Sequence, residues 1–290
     1  MSEFNRVSGS VGLEQELVEL SGVYPVSDWD FNHWGHSDID LGAYEHTNNL
    51  VREVEKKLLA DGFAIVDFAF LLEEHDEAVV ASAITIFLSG LGDPLRIFLN
   101  RPHWRKLRVD LSRSPERSEG AGQSPLHMDF VNAENPPDLV CLFCVTPDPL
   151  GGGASLLSEI NGVEKLLADE HIDVLSNAQF SDGKVVNLGG IGVDINPFPV
   201  LSLSGKWRYR FTGGLLSNPK HEDFRDSLME LSQVLNDRTV TTILKRGELL
   251  IADQHKVLHG RGSLGEGQDK IAEDERRFLF HSFVRRRTGL

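Results

Sequence analysis

The apolar positions of residues 47–88 follow helical spacing, then strand-like spacing, then helical spacing again. Thr47 is a candidate helix cap and Gly62 a candidate helix stop, and the apolar residues between them recur every three or four positions: Leu50, Val51, Val54, Leu58 and Leu59. The run 63–67 reads FAIVD and predicts a buried strand, and residues 74–88 predict a second helix. We therefore expect helices at the front of the fold.

After residue 105 the pattern changes to short apolar runs separated by turn residues. Strands are predicted over 138–146, 154–157, 184–188, 207–211, 249–252 and 278–284. One helix interrupts them after Asn218 and Pro219, with an apolar stripe formed by Phe224, Leu228, Leu231 and Leu235. Because the strands do not alternate regularly with helices, the pattern favours a mainly β jelly-roll barrel with flanking helices over a doubly wound parallel sheet.

The domain organisation follows from the same pattern and from the length of 290 residues. Residues 1–46 are polar and irregular in pattern, and we interpret them as an N-terminal segment that could form part of a lid. Within it, His33 and His36 are interpreted as exposed loop histidines. Residues 47–290 are predicted to form a single domain with helical additions.

Composition and charge narrow the class of protein. A hydrophobic fraction of 40% with 25% charged residues is typical of a compact globular chain. The net charge of −15 repels phosphate backbones and anionic membranes, so we expect a small-molecule substrate rather than nucleic acid or membrane. The sequence lacks a leader-like or membrane-spanning run, which predicts a cytoplasmic protein, and it leaves the oligomeric state open.

A metal site is indicated by the segment SPLHMD, in which His127 and Asp129 lie two residues apart. Positions i and i+2 of a strand face the same side, so one imidazole and one carboxylate can bind one ion. A third ligand, His259, follows a short apolar run in GELLIADQHKVLHGRG. Two histidines and one carboxylate form the facial triad that leaves coordination positions open on iron.

An anion-binding position is indicated on the last predicted strand. Alternation places Arg277, Leu279, His281 and Phe283 on one face of RRFLFHSFV. A buried arginine needs a carboxylate partner, and a dicarboxylate co-substrate would supply one.

Three segments together resemble the taurine dioxygenase and clavaminate synthase-like group of Fe(II)/2-oxoglutarate dioxygenases: SPLHMDFVNAENPPDLVCLFCVTPDPLGGGASLLSEI, GELLIADQHKVLHGRG and RRFLFHSFV. The resemblance implies a double-stranded β-helix, cupin-like in architecture, over 47–290. It implies Fe(II) bound by His127, Asp129 and His259, with 2-oxoglutarate and O2 as co-substrates. It also implies that Arg277, assisted by the Ser155 hydroxyl, binds the distal carboxylate of 2-oxoglutarate.

Substrate contacts are less narrowly defined by the sequence. His281 stands four residues after Arg277, where taurine-type enzymes carry a second arginine, and is a candidate substrate contact. Alternation puts Phe211 and Arg210 on opposite faces of their segment, and either face could line the cavity.

Several functions stay open at this point. The resemblance implies oxidation of a C–H bond of a small polar metabolite, for which fold analogy favours an amino-acid-derived intermediate of natural-product biosynthesis. Hydroxylation, desaturation and ring formation are all compatible with the ligands, whereas the carboxylate of Asp129 argues against halogenation. The alternative is a cupin-like isomerase or small-ligand sensor that binds a divalent ion without using O2.

Overall fold

The computed structural model describes residues 5–10, 12–24, 39–97, 103–177, 179–182, 195, 197–202 and 207–287. The strands, in chain order, are β1 (Arg6–Ser8), β2 (Phe63–Asp67), β3 (Asp93–Pro94), β4 (Arg105–Arg108), β5 (Ser124–His127), β6 (Leu139–Thr146), β7 (Ser155–Glu159), β8 (Thr239–Thr242), β9 (Glu248–Asp253), β10 (Val257–Arg261) and β11 (Phe278–Arg285). The α-helices are α1 (Leu13–Val23), α2 (Glu45–Asp61), α3 (Ala69–Glu74), α4 (Glu77–Ser89), α5 (Asp169–Leu175) and α6 (Arg225–Asp237). Short 3-10 helices cover Leu41–Ala43, Val163–Leu166, Gly213–Ser217, Pro219–Phe224, Gln268–Lys270 and Glu273–Glu275.

The described strands form two sheets that enclose a common interior. The larger sheet has the order β1-β2-β9-β6-β11-β3, with β4 also paired to β11, and the smaller sheet has the order β5-β10-β7-β8. One hydrophobic cluster contains Leu250 and Leu279 from the larger sheet together with Leu157 and Val257 from the smaller one. This arrangement is the double-stranded β-helix, or jelly roll, that the sequence predicts.

Strand β9 shows why the larger sheet is covered on both faces. All six of its residues are buried. Leu249 and Ile251 pack outward in a cluster with the helices, whereas Leu250 and Ala252 pack inward between the sheets. The period of two along a strand therefore separates a helix–sheet core from the barrel interior.

The two predicted front helices are present, with different starts from those expected. Helix α2 begins at Glu45, and the carboxylate of Glu16 in α1 accepts hydrogen bonds from the backbone N–H groups of His46 (3.1 Å) and Thr47 (2.8 Å). Thr47 is thus inside the helix, and its cap is supplied by another helix. Leu59, predicted in the apolar stripe, is 64% exposed.

The prediction that residues 1–46 are irregular is wrong for their described part. Strand β1 pairs in parallel with β2, and the apolar residues Leu13, Leu17 and Leu20 of α1 are buried. Their spacing of four and three residues is that of a helix face, which the surrounding acidic residues obscured. His33 and His36 lie outside the described residues, and the lid stays a prediction.

Two further differences concern the second half of the chain. The predicted strand 184–188 lies outside the described residues. The predicted strand 207–211 forms only isolated bridges, in which Tyr209 pairs with Leu201 and the adjacent Thr212 pairs with His127. In the described part of the chain, no helix combines the length and apolarity needed to cross a membrane.

Candidate metal and co-substrate site

Two strands of the smaller sheet bring the predicted metal ligands together. Strands β5 and β10 are antiparallel, and His127 stands directly opposite His259, with ring centroids 4.3 Å apart. Asp129 follows two residues after His127, just beyond the end of β5. One potential ligand atom from each of these three residues lies within 4.8 Å of the others.

The orientation of the side chains fits a divalent cation. Nδ1 of His127 lies 2.8 Å from the carbonyl oxygen of Pro125, to which it can only donate. The Nε2 lone pair is then free on the side of Asp129, whose Oδ1 lies 3.9 Å away. Oδ2 of Asp129 is buried without a well-formed hydrogen bond, although Nε2 of His259 lies 3.3 Å from it. A metal ion would satisfy both groups.

The protonation states also suit a metal ligand set. Burial, together with the neighbouring imidazole of His259, lowers the pKa of His127 to about 4, which leaves its ring neutral at physiological pH. Burial alone would raise the pKa of Asp129, but the imidazoles of His259 and His281 beside it hold that pKa well below its usual range. The site therefore presents neutral histidine and ionised aspartate.

Arg277 lies in the same cavity as the three candidate ligands. Its side chain is buried, and within the described residues no carboxylate or carbonyl oxygen pairs with its guanidinium. Burial, and the positive charge of Arg261 nearby, lower the pKa of Arg277 to about 10, so that it stays cationic at neutral pH. A buried cation without a counterion is costly, and an anionic ligand would pair with it.

The glycine turn before β7 makes room for this guanidinium. Gly153 has a φ of +71°, and a Cβ atom there would lie 3.1 Å from Nε of Arg277. Ser155 is buried at the start of β7, where it pairs with Arg261 of β10. The structure thus puts Ser155 at the same end of the barrel, while its contact with 2-oxoglutarate stays a prediction.

The three candidate substrate contacts have different surroundings. His281 lines the cavity, with Nε2 at 3.7 Å from Oδ2 of Asp129, and neither ring nitrogen hydrogen-bonds to another described residue. Arg210 instead donates to the carbonyl oxygens of Val131 (2.8 Å) and Ala133 (2.7 Å). It holds the loop after Asp129, and the prediction that Arg210 contacts substrate is not supported by this placement.

Phe211 likewise packs away from the described cavity. Its ring belongs to the hydrophobic cluster outside the smaller sheet, among the residues that pack against α6. Its backbone carbonyl accepts a hydrogen bond from the N–H of Met128 at 2.9 Å. Phe211 therefore supports the backbone between His127 and Asp129, and a side-chain contact with substrate has no support among the described residues.

Arg261 is a cavity residue that the sequence reading missed. It lines the cavity and donates to carbonyl oxygens of the loop between β4 and β5, at Ser118 (3.0 Å) and Gly122. Arg261 lies two residues after His259 on β10, so the period of a strand already places it on the same face as that candidate ligand. Both terminal nitrogens of Arg261 donate to the loop, and only its buried Nε lacks a partner among the described residues. Arg277 is therefore the arginine whose terminal nitrogens are left for an anion.

Comparison with known proteins gives a consistent result for sequence and fold. An L-asparagine oxygenase from Streptomyces coelicolor (strain ATCC BAA-471 / A3(2) / M145) is 28% identical over 192 residues, which are 65% of this chain and 57% of the relative. The match thus spans little more than half the length of that protein.

Solved structures show the same fold. An asparagine oxygenase in complex with Fe(II), 2S,3S-3-hydroxyasparagine and succinate has a TM-score of 0.70 at 21% identity, covering 97% of this chain and 93% of that one. The non-heme iron oxygenase OrfP in complex with Fe, succinate and (3S)-hydroxy-L-Arg has a TM-score of 0.69 at 15% identity, covering 97% and 94%.

The family assignment rests on a separate sequence match. The sequence model of the family described as "Taurine catabolism dioxygenase TauD, TfdA family" matches residues 23–179, which are more than half of the chain. With the ligand set and the jelly roll in agreement, the chain belongs to the TauD/TfdA dioxygenase family.

Proposed function

We propose that this protein is an Fe(II)/2-oxoglutarate-dependent oxygenase that oxidises a C–H bond of a small polar metabolite. The observation that carries the proposal is the cavity shared by His127, Asp129, His259 and Arg277. Two imidazoles and a carboxylate suit a ferrous ion, and the guanidinium beside them, unpaired among the described residues, suits a carboxylate of the co-substrate. Binding of a metal ion alone would not account for that buried cation.

Each group of the chain then has a defined part. His127, Asp129 and His259 would hold Fe(II), which when bound supplies activation of O2 coupled to oxidative decarboxylation of 2-oxoglutarate. Arg277 would hold the carboxylate at the far end of that co-substrate, with Ser155 as its predicted assistant. Leu107, Leu142 and Leu279 line the cavity with apolar surface that limits the access of water.

For the substrate we favour an amino acid or a compound derived from one. The asparagine oxygenase and OrfP both have structures with a hydroxylated amino acid and succinate. His281, whose two ring nitrogens make no hydrogen bond with the described residues, would hydrogen-bond to a polar group of such a molecule. We place this chemistry in natural-product biosynthesis, and the predictions of a cytoplasmic location and of no nucleic-acid partner stay predictions.

The test is co-substrate turnover by the purified chain with Fe(II), 2-oxoglutarate and O2. We expect succinate to form, at a higher rate when L-asparagine, L-arginine or a related amino acid is present. Mass spectrometry should show that the amino-acid product has gained an oxygen atom or lost hydrogen atoms. His127→Ala should abolish succinate formation. His171→Ala is the matched control, because His171 lies on α5 and contacts Ser227, away from the cavity.

The result that contradicts the proposal is equally direct. If the iron-loaded protein forms no succinate, with or without an amino acid, the chain is not a 2-oxoglutarate oxygenase. If succinate forms but no amino acid accelerates it, the reaction class stands and the substrate class does not.

A further inference from the structure

The backbone N–H of Asp129 lies where the strand ladder can no longer bind it. Strand β5 ends at His127, and its pairing with β10 includes His127 and not Asp129. The preceding N–H, of Met128, donates to the carbonyl of Phe211 at 2.9 Å. A buried amide beyond the end of a strand needs another acceptor.

That acceptor is the side chain of Gln254. Oε1 of Gln254 accepts from the N–H of Asp129 at 2.5 Å, and Nε2 donates to the carbonyl of Pro137 at 2.8 Å. The backbone N–H of Gln254 donates to the carbonyl of Asp138 at 2.9 Å. The residue is 1% exposed, so these bonds are shielded from water.

Gln254 also connects the two halves of the ligand set. It lies in the turn between β9 and β10, five residues before His259, and its side chain reaches the chain at Asp129. The hydrogen bond from Asp129 to Gln254 therefore connects the turn that leads to His259 directly to the backbone of Asp129.

The residue after Asp129 shows that this backbone needs to be held. Phe130 has a φ of +56°, in the left-handed region that a bulky side chain rarely adopts. Such a conformation persists only when surrounding contacts fix it. The hydrogen bond from Asp129 to Gln254 acts one residue before the strained position.

We propose that Gln254 is a positioning residue, which fixes the Asp129 carboxylate at the metal site by holding its backbone N–H. The inference rests on the proposed function only in taking the three ligands to bind a metal. Among the described residues, no donor makes a hydrogen bond of good geometry to Oδ2 of Asp129, so its carboxylate depends on the placement of its backbone.

The test compares two substitutions with Co(II) as the probe metal. Gln254→Met keeps the length of the side chain but removes both hydrogen bonds, whereas Gln254→Glu keeps the oxygen that faces Asp129 and loses the donor to Pro137. We expect Gln254→Met to weaken Co(II) binding roughly 10- to 100-fold and to change the visible d–d spectrum of bound Co(II). Gln254→Glu should keep the wild-type spectrum, although both variants melt at lower temperature without metal.

A matched control separates positioning from loss of stability. Gln179→Met removes a side-chain amide that donates to the carbonyl of Val174 at 2.6 Å, at the end of α5. It should lower the melting temperature and leave the affinity and spectrum of Co(II) unchanged. If Gln254→Met does not fold, Gln254→Asn replaces it, because its shorter amide cannot reach both Asp129 and Pro137.

Two results would overturn the positioning role. One is wild-type Co(II) affinity and spectrum in Gln254→Met or its replacement, and the other is an equally altered spectrum in Gln254→Glu. Failure of the wild-type protein itself to bind Co(II) would overturn the proposed function together with this inference. Binding by the wild type with no effect in the variants would overturn this inference alone.

Discussion

At the scale of single residues, Arg277 gives the most direct prediction. Arg277→Ala should raise the Michaelis constant for 2-oxoglutarate by about 10- to 150-fold, which corresponds to the roughly 1.5–3 kcal/mol of a hydrogen bond to a charged group. Initial rates of succinate formation at varied 2-oxoglutarate measure it.

The matched control for this change is another arginine outside the cavity. Arg238→Ala removes a guanidinium that pairs with Glu159 at 3.2 Å at the surface, and it should leave that constant unchanged. An unchanged constant in Arg277→Ala as well would remove Arg277 from the co-substrate site.

Gly153 provides a second prediction, with an internal control in the same turn. Gly153 and Gly151 both have positive φ, but a Cβ at Gly153 would lie 2.7 Å from Leu264 and 3.1 Å from Arg277, whereas one at Gly151 would meet no described residue within 4 Å. Both alanine variants should lose about 1–2 kcal/mol from backbone strain. Gly153→Ala alone should also weaken 2-oxoglutarate, as measured by its Michaelis constant.

If both glycine variants weaken 2-oxoglutarate equally, the turn conformation and not the contact with Arg277 would be responsible. If neither does, the guanidinium moves aside without loss, and the close approach of Gly153 has no functional consequence.

The period of a strand explains how much of the site is visible in the sequence. His127 and Asp129 share a face at i and i+2, Arg277 and His281 share one at i and i+4, and these four residues line one cavity. The placement of Arg210, in contrast, depends on contacts that no local pattern contains. Its guanidinium binds backbone carbonyls of the loop after Asp129, which become neighbours only in the folded chain.

At the scale of elements, hydrogen bonds between distant segments decide where helices start. Local propensity places the start of α2 at Thr47, but the acceptor for its first N–H groups is Glu16, which lies 31 residues before Thr47. Strand β2, by contrast, spans the predicted residues 63–67. Periodicity therefore predicts elements well, and their ends less well, because ends depend on tertiary contacts.

Asp138 joins three elements and gives a prediction for the dependence of stability on pH. It accepts from His255 in the β9–β10 turn at 2.6 Å and from the backbone N–H of Arg286 after β11 at 2.9 Å, just before β6. Burial would raise the pKa of Asp138, but His255, the Arg286 N–H and Arg285 together hold it below its ordinary value of 3.8. Its pKa is thus lower in the folded chain than in the unfolded one.

The sign of the effect follows from that difference. The stabilisation by ionised Asp138 is complete above the unfolded pKa and is lost as the pH falls through the folded pKa. We expect Asp138→Asn to lower the free energy of unfolding by about 1–3 kcal/mol at neutral pH. The difference in free energy of unfolding between the wild type and Asp138→Asn should narrow between about pH 5 and pH 3, as measured by urea denaturation.

The exposed Asp237 serves as the control for this experiment. It is bonded to Gln233 within one helix turn, and Asp237→Asn should change the free energy of unfolding little at either pH. A gap for Asp138→Asn that stays constant with pH would show that its charge does not contribute.

At the scale of the whole molecule, charge and topology determine how the end of the last strand is fixed. Three consecutive arginines, Arg285, Arg286 and Arg287, lie near Asp138, Asp253 and Asp93, respectively. These pairs fix the end of β11 against other strands of the larger sheet. Sequence patterns give the sign of each charge, but which strand ends meet is set by the order of strands.

The same topology makes ligand binding a contact between the two sheets. His127 and His259 belong to the smaller sheet, whereas Arg277 directly precedes β11 of the larger sheet. A metal alone would bind within one sheet, and a dicarboxylate bound to both the metal and Arg277 would connect the two. Each should stabilise the fold separately, because a ligand that binds only the folded state adds to its stability.

We therefore expect stepwise stabilisation by Mn(II) and then 2-oxoglutarate without O2. At about 100 times its dissociation constant, each ligand adds about 2.7 kcal/mol, which raises the melting temperature by several degrees in a chain of this size. Arg277→Ala should keep the Mn(II) increment and lose most of the second one at the same 2-oxoglutarate concentration, whereas His127→Ala should lose both. Differential scanning calorimetry measures these increments, and an unchanged second increment in Arg277→Ala would mean that the co-substrate does not connect the sheets through that guanidinium.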